Sequence, residues 1–426
     1  MSFLIGPMRQ HLDGHKDLTA HNEILTLSPD TVAIRLSLGP TALTPLVKEG
    51  DKVKIGDKVA ERNDHFYVPI YSSVSGTVKG IVKRSGTDLK PTDHIIIEND
   101  HLDTKAEGKF LKADASKQEI IDYMKEIGLC GQGGAGFPSY IKFNTDKCET
   151  LIVNAVECEP YITADARNME ENMDYLKQGI KFAMVASSAK KGVIAIKEYK
   201  KEMIGKLQEL VKDIDNFSVL PVPDVYPMGW ERTVLFEVTH KRYNKLPIEV
   251  GCVVSNVTSI IELAKSAATG LPIYEKYVTV SGDAVKEPHN VKARVGSSFE
   301  DLLNTCGGVT EDKVVLLSGG PMMGASVIKT EVVTNTFANA VTCLKYVEPD
   351  TIKCLRCGSC IDHCPSGLEP VNIANANKTK DFDALAKLKA VDCVECGMCT
   401  YVCPSKIEVT ENVRRAKKAM LARMKK

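Results

Sequence analysis

The chain has 426 residues, of which 43% are hydrophobic and 26% charged, with 55 Lys and Arg against 55 Asp and Glu. That balance excludes the basic footprint of a nucleic-acid binder, and no apolar run approaches the ~20 residues a membrane-spanning helix needs. The apolar stretch at the N-terminus is too short for a secretory signal, so a cytoplasmic protein of about two to four domains is expected.

Residues 1–112 read as all-β. The stretches 47–53 and 55–59 each place a Gly-Asp turn among alternating Val and Lys. Residues 68–78 give strand, turn and strand, and Ile95, Ile96 and Ile97 close the unit. The pattern resembles the barrel-sandwich hybrid of biotinyl and lipoyl carriers. No Met-Lys carrier dipeptide is present in this stretch, and Lys52 and Lys58 sit in turns, which favours a packing domain over a swinging arm. His11, His15 and His21 fit no standard metal spacing and read as solvated.

Residues 113–272 read as an α/β domain. Ser116 with Glu119 forms a capping-box pattern that starts a helix with Ile120, Ile121, Met124 and Ile127 on one face. Gly131, Gly133, Gly134 and Gly136 follow, then Phe137 and Pro138. A Rossmann fingerprint needs a strand before the glycines and a helix opening after them. Here a helix precedes and Phe-Pro follows, so that reading fails. Two readings stay open: a cradle for a phosphate or flavin, and a tight structural loop. Short apolar strands at 151–154, 193–196 and 250–254, with helical patterns at 168–188 and 199–213, imply a mostly parallel sheet. Asn154, Glu157 and Glu159 lie at the C-terminal end of the first strand, where open α/β sheets bind ligands. The acidic pair suits ribose hydroxyls, and a solvated loop is the alternative.

Residues 273–330 read as a β-grasp module, with strands at 277–280, 291–295 and 314–317 and a helix at 298–305. The segment Gly319-Gly-Pro-Met-Met-Gly324 is a tight turn. Residues 331–426 begin with a linker, and two runs there hold eight of the fourteen cysteines. The other six, scattered along the chain, suit reduced, buried roles. Cys354, Cys357, Cys360 and Cys364 form one C-x2-C-x2-C-x3-C-P run, and Cys393, Cys396, Cys399 and Cys403 form another. In this pattern three cysteines hold one 4Fe–4S cluster and the fourth, before Pro, holds the other. Cys354, Cys357, Cys360 and Cys403 are therefore assigned to one cluster, and Cys393, Cys396, Cys399 and Cys364 to its neighbour. Zinc sites usually show two separated C-x2-C pairs, and disulfide frameworks belong to small secreted chains. A helical spacer at 381–389 favours an α-helical dicluster domain. The tail from Val413 is a basic amphipathic helix, either solvated or suited to an anionic membrane or acidic partner.

The order of these units resembles the RnfC family, the NADH-dehydrogenase-like subunit of the Rnf complex. The matching stretches are 131–137, 151–165 (LIVNAVECEPYITAD), 246–257 (LPIEVGCVVSNV), 278–285 (VTVSGDAV), 319–324 and both cysteine runs. The middle of the chain is also similar to the NADH-binding flavoprotein subunit of respiratory complex I. That resemblance implies FMN at Gly131, Gly133, Gly134, Lys142, Asn154 and Asn256, and NADH at Phe137, Phe143, Glu159 and Glu231. The β-grasp unit is then an SLBB module. The implied function is oxidation of NADH through FMN and release of single electrons, through two 4Fe–4S clusters, to a partner reductase or Rnf-type complex. No catalytic side chain is assigned beyond the cofactors, and docking at the inner face of a membrane is compatible with this picture. The chain departs from the family at Gly6-Pro7-Met8-Arg9-Gln10-His11, at Cys130 and Gln132, and in the turn from Tyr226 to Arg232. These departures suggest a paralogue with another acceptor, such as the proline-reductase-associated protein PrdC of anaerobes. The corrinoid reductase of propanediol metabolism is a lesser candidate, lacking such a leading barrel domain. The rival readings are a flavin-free adaptor relaying electrons between proteins, and a redox sensor using Cys130 or Cys158.

Overall fold

The computed structural model describes residues 9–87, 90–134 and 136–424. The divergent opening at Gly6-Pro7-Met8, Ala135 of the glycine loop and the last two lysines lie outside the described residues.

The strands of the N-terminal unit turn their apolar side chains into a shared core. A four-stranded sheet in the order Thr31–Arg35, Pro91–Asn99, Gly76–Ser85, Lys52–Val53 packs beside a three-stranded one. Val32, Ile34, Val59, Val78, Ile95 and Ile97 form the core between them. The hairpin of Lys58–Asn63 and Tyr67–Tyr71, where a carrier lysine would sit, lies against the next domain. Tyr67 N donates to Tyr140 Oη at 3.2 Å, and Tyr71 Oη donates to the carbonyl of Glu126. Lys58 Nζ is held by Glu61 at 2.9 Å and Tyr67 at 3.2 Å, so this hairpin packs rather than swings.

The α/β domain opens with the helix Lys117–Glu126, its capping box formed by Ser116 and Glu119. Its four strands are all parallel, in the order Phe217–Val222, Lys191–Lys197, Thr150–Asn154, Cys252–Asn256. Successive side chains of the central strand serve opposite layers. Leu151 and Val153 pack on Ile180, Leu207 and Ile260, whereas Ile152 packs on Val234 and Leu235. The helical pattern at 168–188 is two helices, Ala164–Glu171 and Met173–Ser187, interrupted at Asn172. The strand Phe217–Val222 and the helix Glu231–Thr239 were not legible, because Pro and short polar stretches break their periodicity.

Two boundaries need correction. The strand Ala340–Lys345, read as linker beyond residue 330, lies inside the third domain's six-stranded sheet, between Glu275–Ser281 and Val314–Ser318. Its first four residues, Ala340 to Cys343, are all buried. The strand Ile24–Leu27, assigned to the N-terminal barrel, instead pairs in parallel with His289–Arg294. The chain before the barrel thus threads along its neighbours. Tyr161 N donates to Gly14 O at 2.6 Å, and Lys16 Nζ donates to Glu159 O at 3.0 Å.

The C-terminal unit is helical, with Pro370–Lys378, Phe382–Lys387 and Val409–Met424 around Ile373, Leu385, Val409 and Val413. Among the described residues no helix is long and apolar enough to cross a membrane.

Candidate functional site

From the central strand Thr150–Asn154 the sheet continues through two strands on one side and through Cys252–Asn256 on the other. The crevice at such a reversal is the ligand position of open α/β sheets. The last residues of the two flanking strands, Asn154 and Asn256, are register partners there. Asn154 Nδ2 donates to Gly229 O at 2.8 Å. Asn256 Nδ2 donates to Asp165 Oδ2 at 2.7 Å, and its Oδ1 accepts from Thr258 N, capping the helix Val257–Thr269.

The glycine loop reaches the same place. Gly131 N donates to Phe137 O at 2.9 Å, Gln132 N donates to Ser259 Oγ at 2.9 Å, and Lys276 Nζ donates to Gln132 Oε1. Gly133 has φ +64°, and a Cβ there would lie 3.4 Å from Asn256 Nδ2 and 3.5 Å from Asn339 Nδ2. Gly134 faces open space. Lys142 Nζ donates to Val254 O at 3.0 Å. Burial pulls its pKa down while Glu231 opposes the shift. Open space beside Gly134, with the Asn256 and Asn339 carboxamides next to Gly133, fits close approach of an acceptor-rich ligand such as a flavin phosphate. Asn339 was missed because it stood in the supposed linker.

The four NADH candidates separate. Phe137 is 41% exposed, edge-on to Phe66 of the barrel hairpin at 5.6 Å. Glu231 Oε1 accepts from Tyr243 Oη at 2.7 Å. Phe143 is 1% exposed within the apolar core, so it offers no ring face for stacking and that reading is corrected. Glu159 accepts Met323 N on Oε1 at 2.7 Å and Met322 N on Oε2 at 3.2 Å, tying the α/β domain to the turn at 319–324. Burial raises its pKa from 4.5 to about 7. A carboxyl with a raised folded pKa binds more protons folded than unfolded, so it lowers stability as pH rises from 4.5 to about 7. Glu159→Gln should flatten that part of the stability profile. Urea midpoints taken across the window should fall more steeply in the wild type, and parallel profiles would contradict the assignment.

In the C-terminal unit Cys364 joins Cys393, Cys396 and Cys399 around a recess partly open to solvent. Leu368, Ile373 and Val413 complete its wall, together with Ser366, whose buried hydroxyl has no hydrogen-bond partner. Among the described residues no three His, Cys, Asp or Glu side chains converge closely enough for a single metal ion. The four thiols frame a larger group, and an iron–sulfur cluster fits it. Cys354 and Cys357 are exposed, and burial, followed by the nearby Cys357 and Cys403, disfavours ionisation of Cys360. The first set is therefore the outer one and the second the inner. Burial pushes Cys130 up to about 12 and Cys158 up to about 11, which argues against either as a reactive sensor.

The inner set is fastened to the α/β domain and to the turn at 319–324. Tyr226 Oη donates to Cys396 O at 2.7 Å in a buried contact. A Cβ at Gly397 would come within 2.5 Å of Met322 O, so only glycine permits this approach. The basic tail also faces inward. Lys417 Nζ donates to Cys393 O at 2.7 Å and pairs with Glu395 at 2.9 Å, and Arg414 pairs with Glu395 at 3.3 Å. These two cations brace the cysteine loop and are not part of a free basic face. Tyr226→Phe leaves a buried carbonyl unpaired, which should lower stability by about 1–3 kcal/mol. Calorimetry should show the loss, and an unchanged transition would rule out the contact.

Four family models match in chain order. They are the RnfC barrel sandwich hybrid domain over residues 9–102, the Nuo51 FMN-binding domain over 124–265, the SLBB domain over 277–326 and the 4Fe-4S dicluster domain over 340–407. One subunit of the Na(+)-translocating ferredoxin:NAD(+) oxidoreductase complex of Acetobacterium woodii is 35% identical over 93% of each chain. The corresponding subunit of the proton-translocating ferredoxin:NAD(+) oxidoreductase complex of Clostridium ljungdahlii is 32% identical over 84% of this chain and 81% of that one. A chain of an NAD+-reducing [NiFe]-hydrogenase in its air-oxidised state shares the fold, with TM-score 0.51 and 16% identity over 72% of this chain and 63% of that chain. The match along nearly the full length, together with the domain order and both cysteine runs, settles the relationship: the chain belongs to the RnfC family.

Proposed function

We propose that the protein exchanges electrons between NAD(H) and a one-electron partner, using FMN in the crevice at Asn154 and Asn256 and two 4Fe–4S clusters as the outlet. The observation that carries this reading is the shared footing of both sites. The turn from Tyr226 to Trp230 holds Asn154 through Gly229 O and holds the inner cysteine loop through Tyr226. One short segment thus ties the crevice to the cluster loop. Flavin, when bound, supplies the conversion between a hydride's electron pair and single electrons. Gly131, Gly133 and Gly134 would give it close backbone approach, Lys142 would offset phosphate charge, and Asn154, Asn256 and Asn339 would orient it. Phe137 presents a ring at the rim for a nicotinamide or adenine face. Glu231 keeps one carboxylate oxygen beyond its bond to Tyr243 for a ribose or amide donor. Glu159 acts through its grip on Met322 and Met323.

The relatives' printed names describe ferredoxin:NAD(+) oxidoreductase complexes. Membrane subunits of such a complex are the partner class this reading favours, with this chain peripheral on the cytoplasmic side. A soluble reductase partner of the proline-reductase type is the finer alternative, motivated by Gln132 and by the sequence around Trp230. Anaerobic absorbance before and after NADH, with released flavin quantified, tests the function. The proposal requires FMN near one per chain and bleaching of the flavin band. Intact clusters with no flavin and no NADH response would instead make the α/β domain a docking platform.

A further inference from the structure

The inner cysteine set carries a hydroxyl arrangement that the electron route does not require. Thr410 N donates to Thr400 Oγ1 at 2.9 Å, and Thr400 Oγ1 donates to Thr410 Oγ1 at 2.9 Å. Thr410 Oγ1 lies 3.2 Å from Cys399 Sγ. A cysteine that ligates iron has no proton to give, and the Thr400 hydroxyl proton already points at Thr410. The remaining donor is the Thr410 hydroxyl, aimed at sulfur. Thr410 is 6% exposed, so water does not compete for it. On the opposite side Ser366 lines the same space with a buried hydroxyl that has no partner. Backbone donors are also present, from Leu368 N to Cys364 Sγ at 3.3 Å and from Glu395 N to Cys393 Sγ at 3.3 Å.

We propose that Thr410, oriented by Thr400, and Ser366 are positioning residues that donate hydrogen bonds to the sulfurs of the inner cluster and set its reduction potential. The inference rests on the cluster assignment above. A donor facing sulfur stabilises the electron-rich, reduced state more than the oxidised one, so it raises the potential. Among the described residues the outer set has no comparable buried pair. Its side-chain contact is Ser359 Oγ, 3.4 Å from the exposed Cys357.

The test is an EPR-monitored redox titration of the full-length protein, with iron and sulfide counted beforehand. Two clusters in the wild type establish the assignment independently of the hydroxyls, and a single cluster would overturn that assignment and the inference with it. Thr410→Val, which keeps the volume and removes the donor, should move the inner cluster to a more negative potential and leave the outer one in place. Thr410→Ser restores the hydroxyl and should return the potential toward the wild-type value. Ser366→Ala should shift the same cluster in the same direction, and it carries the test alone if Thr410→Val fails to take up the cluster. Unchanged potentials in Thr410→Val and Ser366→Ala would overturn the inference. So would equal shifts in the Val and Ser variants at position 410.

Discussion

Cys396→Ala is expected to abolish electron passage between the crevice and the partner while leaving flavin chemistry intact. Cys396 is 8% exposed and lines the inner space with Cys364, Cys393 and Cys399. Removing one of four thiolates leaves a site that cannot complete a cubane. The glycine loop, Asn154 and Asn256 do not touch this residue. Iron content should fall by about half, FMN should stay near one per chain, and NADH should still bleach the flavin. Transfer to a one-electron protein acceptor should fall to background. Metal analysis, flavin release and stopped-flow absorbance read these separately. Normal acceptor turnover in a protein lacking the inner cluster would remove that cluster from the route.

Gly133→Val should produce the opposite pattern. At φ +64° a β-branched residue is strained by about 1–3 kcal/mol, and its γ-methyls would extend beyond a Cβ position already in van der Waals contact with Asn256 Nδ2 and Asn339 Nδ2. The loop must shift, and the space beside Gly134 closes. The purified variant should carry both clusters at full iron content, little or no FMN, and no absorbance response to NADH. Gly133→Ala should lose less, since it meets the same strain with a smaller side chain. Full flavin loading in the Val variant would mean that the loop is structural and the cradle lies elsewhere.

The parts of this protein legible from sequence were those with dense local signals. The eight cysteines declare their chemistry by spacing, and the capping box at Ser116 by two residues. The parallel sheet was legible because its buried strands are near-continuous apolar runs. Non-local arrangement was hidden. Ala340–Lys345 inserts between strands that precede it by many residues, and Ile24–Leu27 joins a sheet built mainly from residues beyond 274. Neither pairing leaves a local trace. Phe143 and Glu159 matched a family pattern by position, yet burial and two backbone donors give them other work. Tyr226 was read only as part of an unusual turn, because its partner, the carbonyl of Cys396, is 170 positions away. The inward cations Arg414 and Lys417 were likewise indistinguishable from solvated ones until Glu395 was placed beside them.

The proposed route runs from the crevice through the inner cluster to the outer one, on the contact of Tyr226 with Cys396 O. The most direct measurement uses Cys354→Ala, which removes the exposed outer site and leaves the buried one. The chemically reduced variant is mixed with NAD+ and the inner cluster's EPR signal is followed by rapid freezing. Reoxidation at the wild-type rate is the predicted result, because the contacts of Tyr226 with Cys396 O and of Gly397 with Met322 are untouched. A stranded, persistently reduced inner cluster would contradict the account and place the outer cluster next to the crevice.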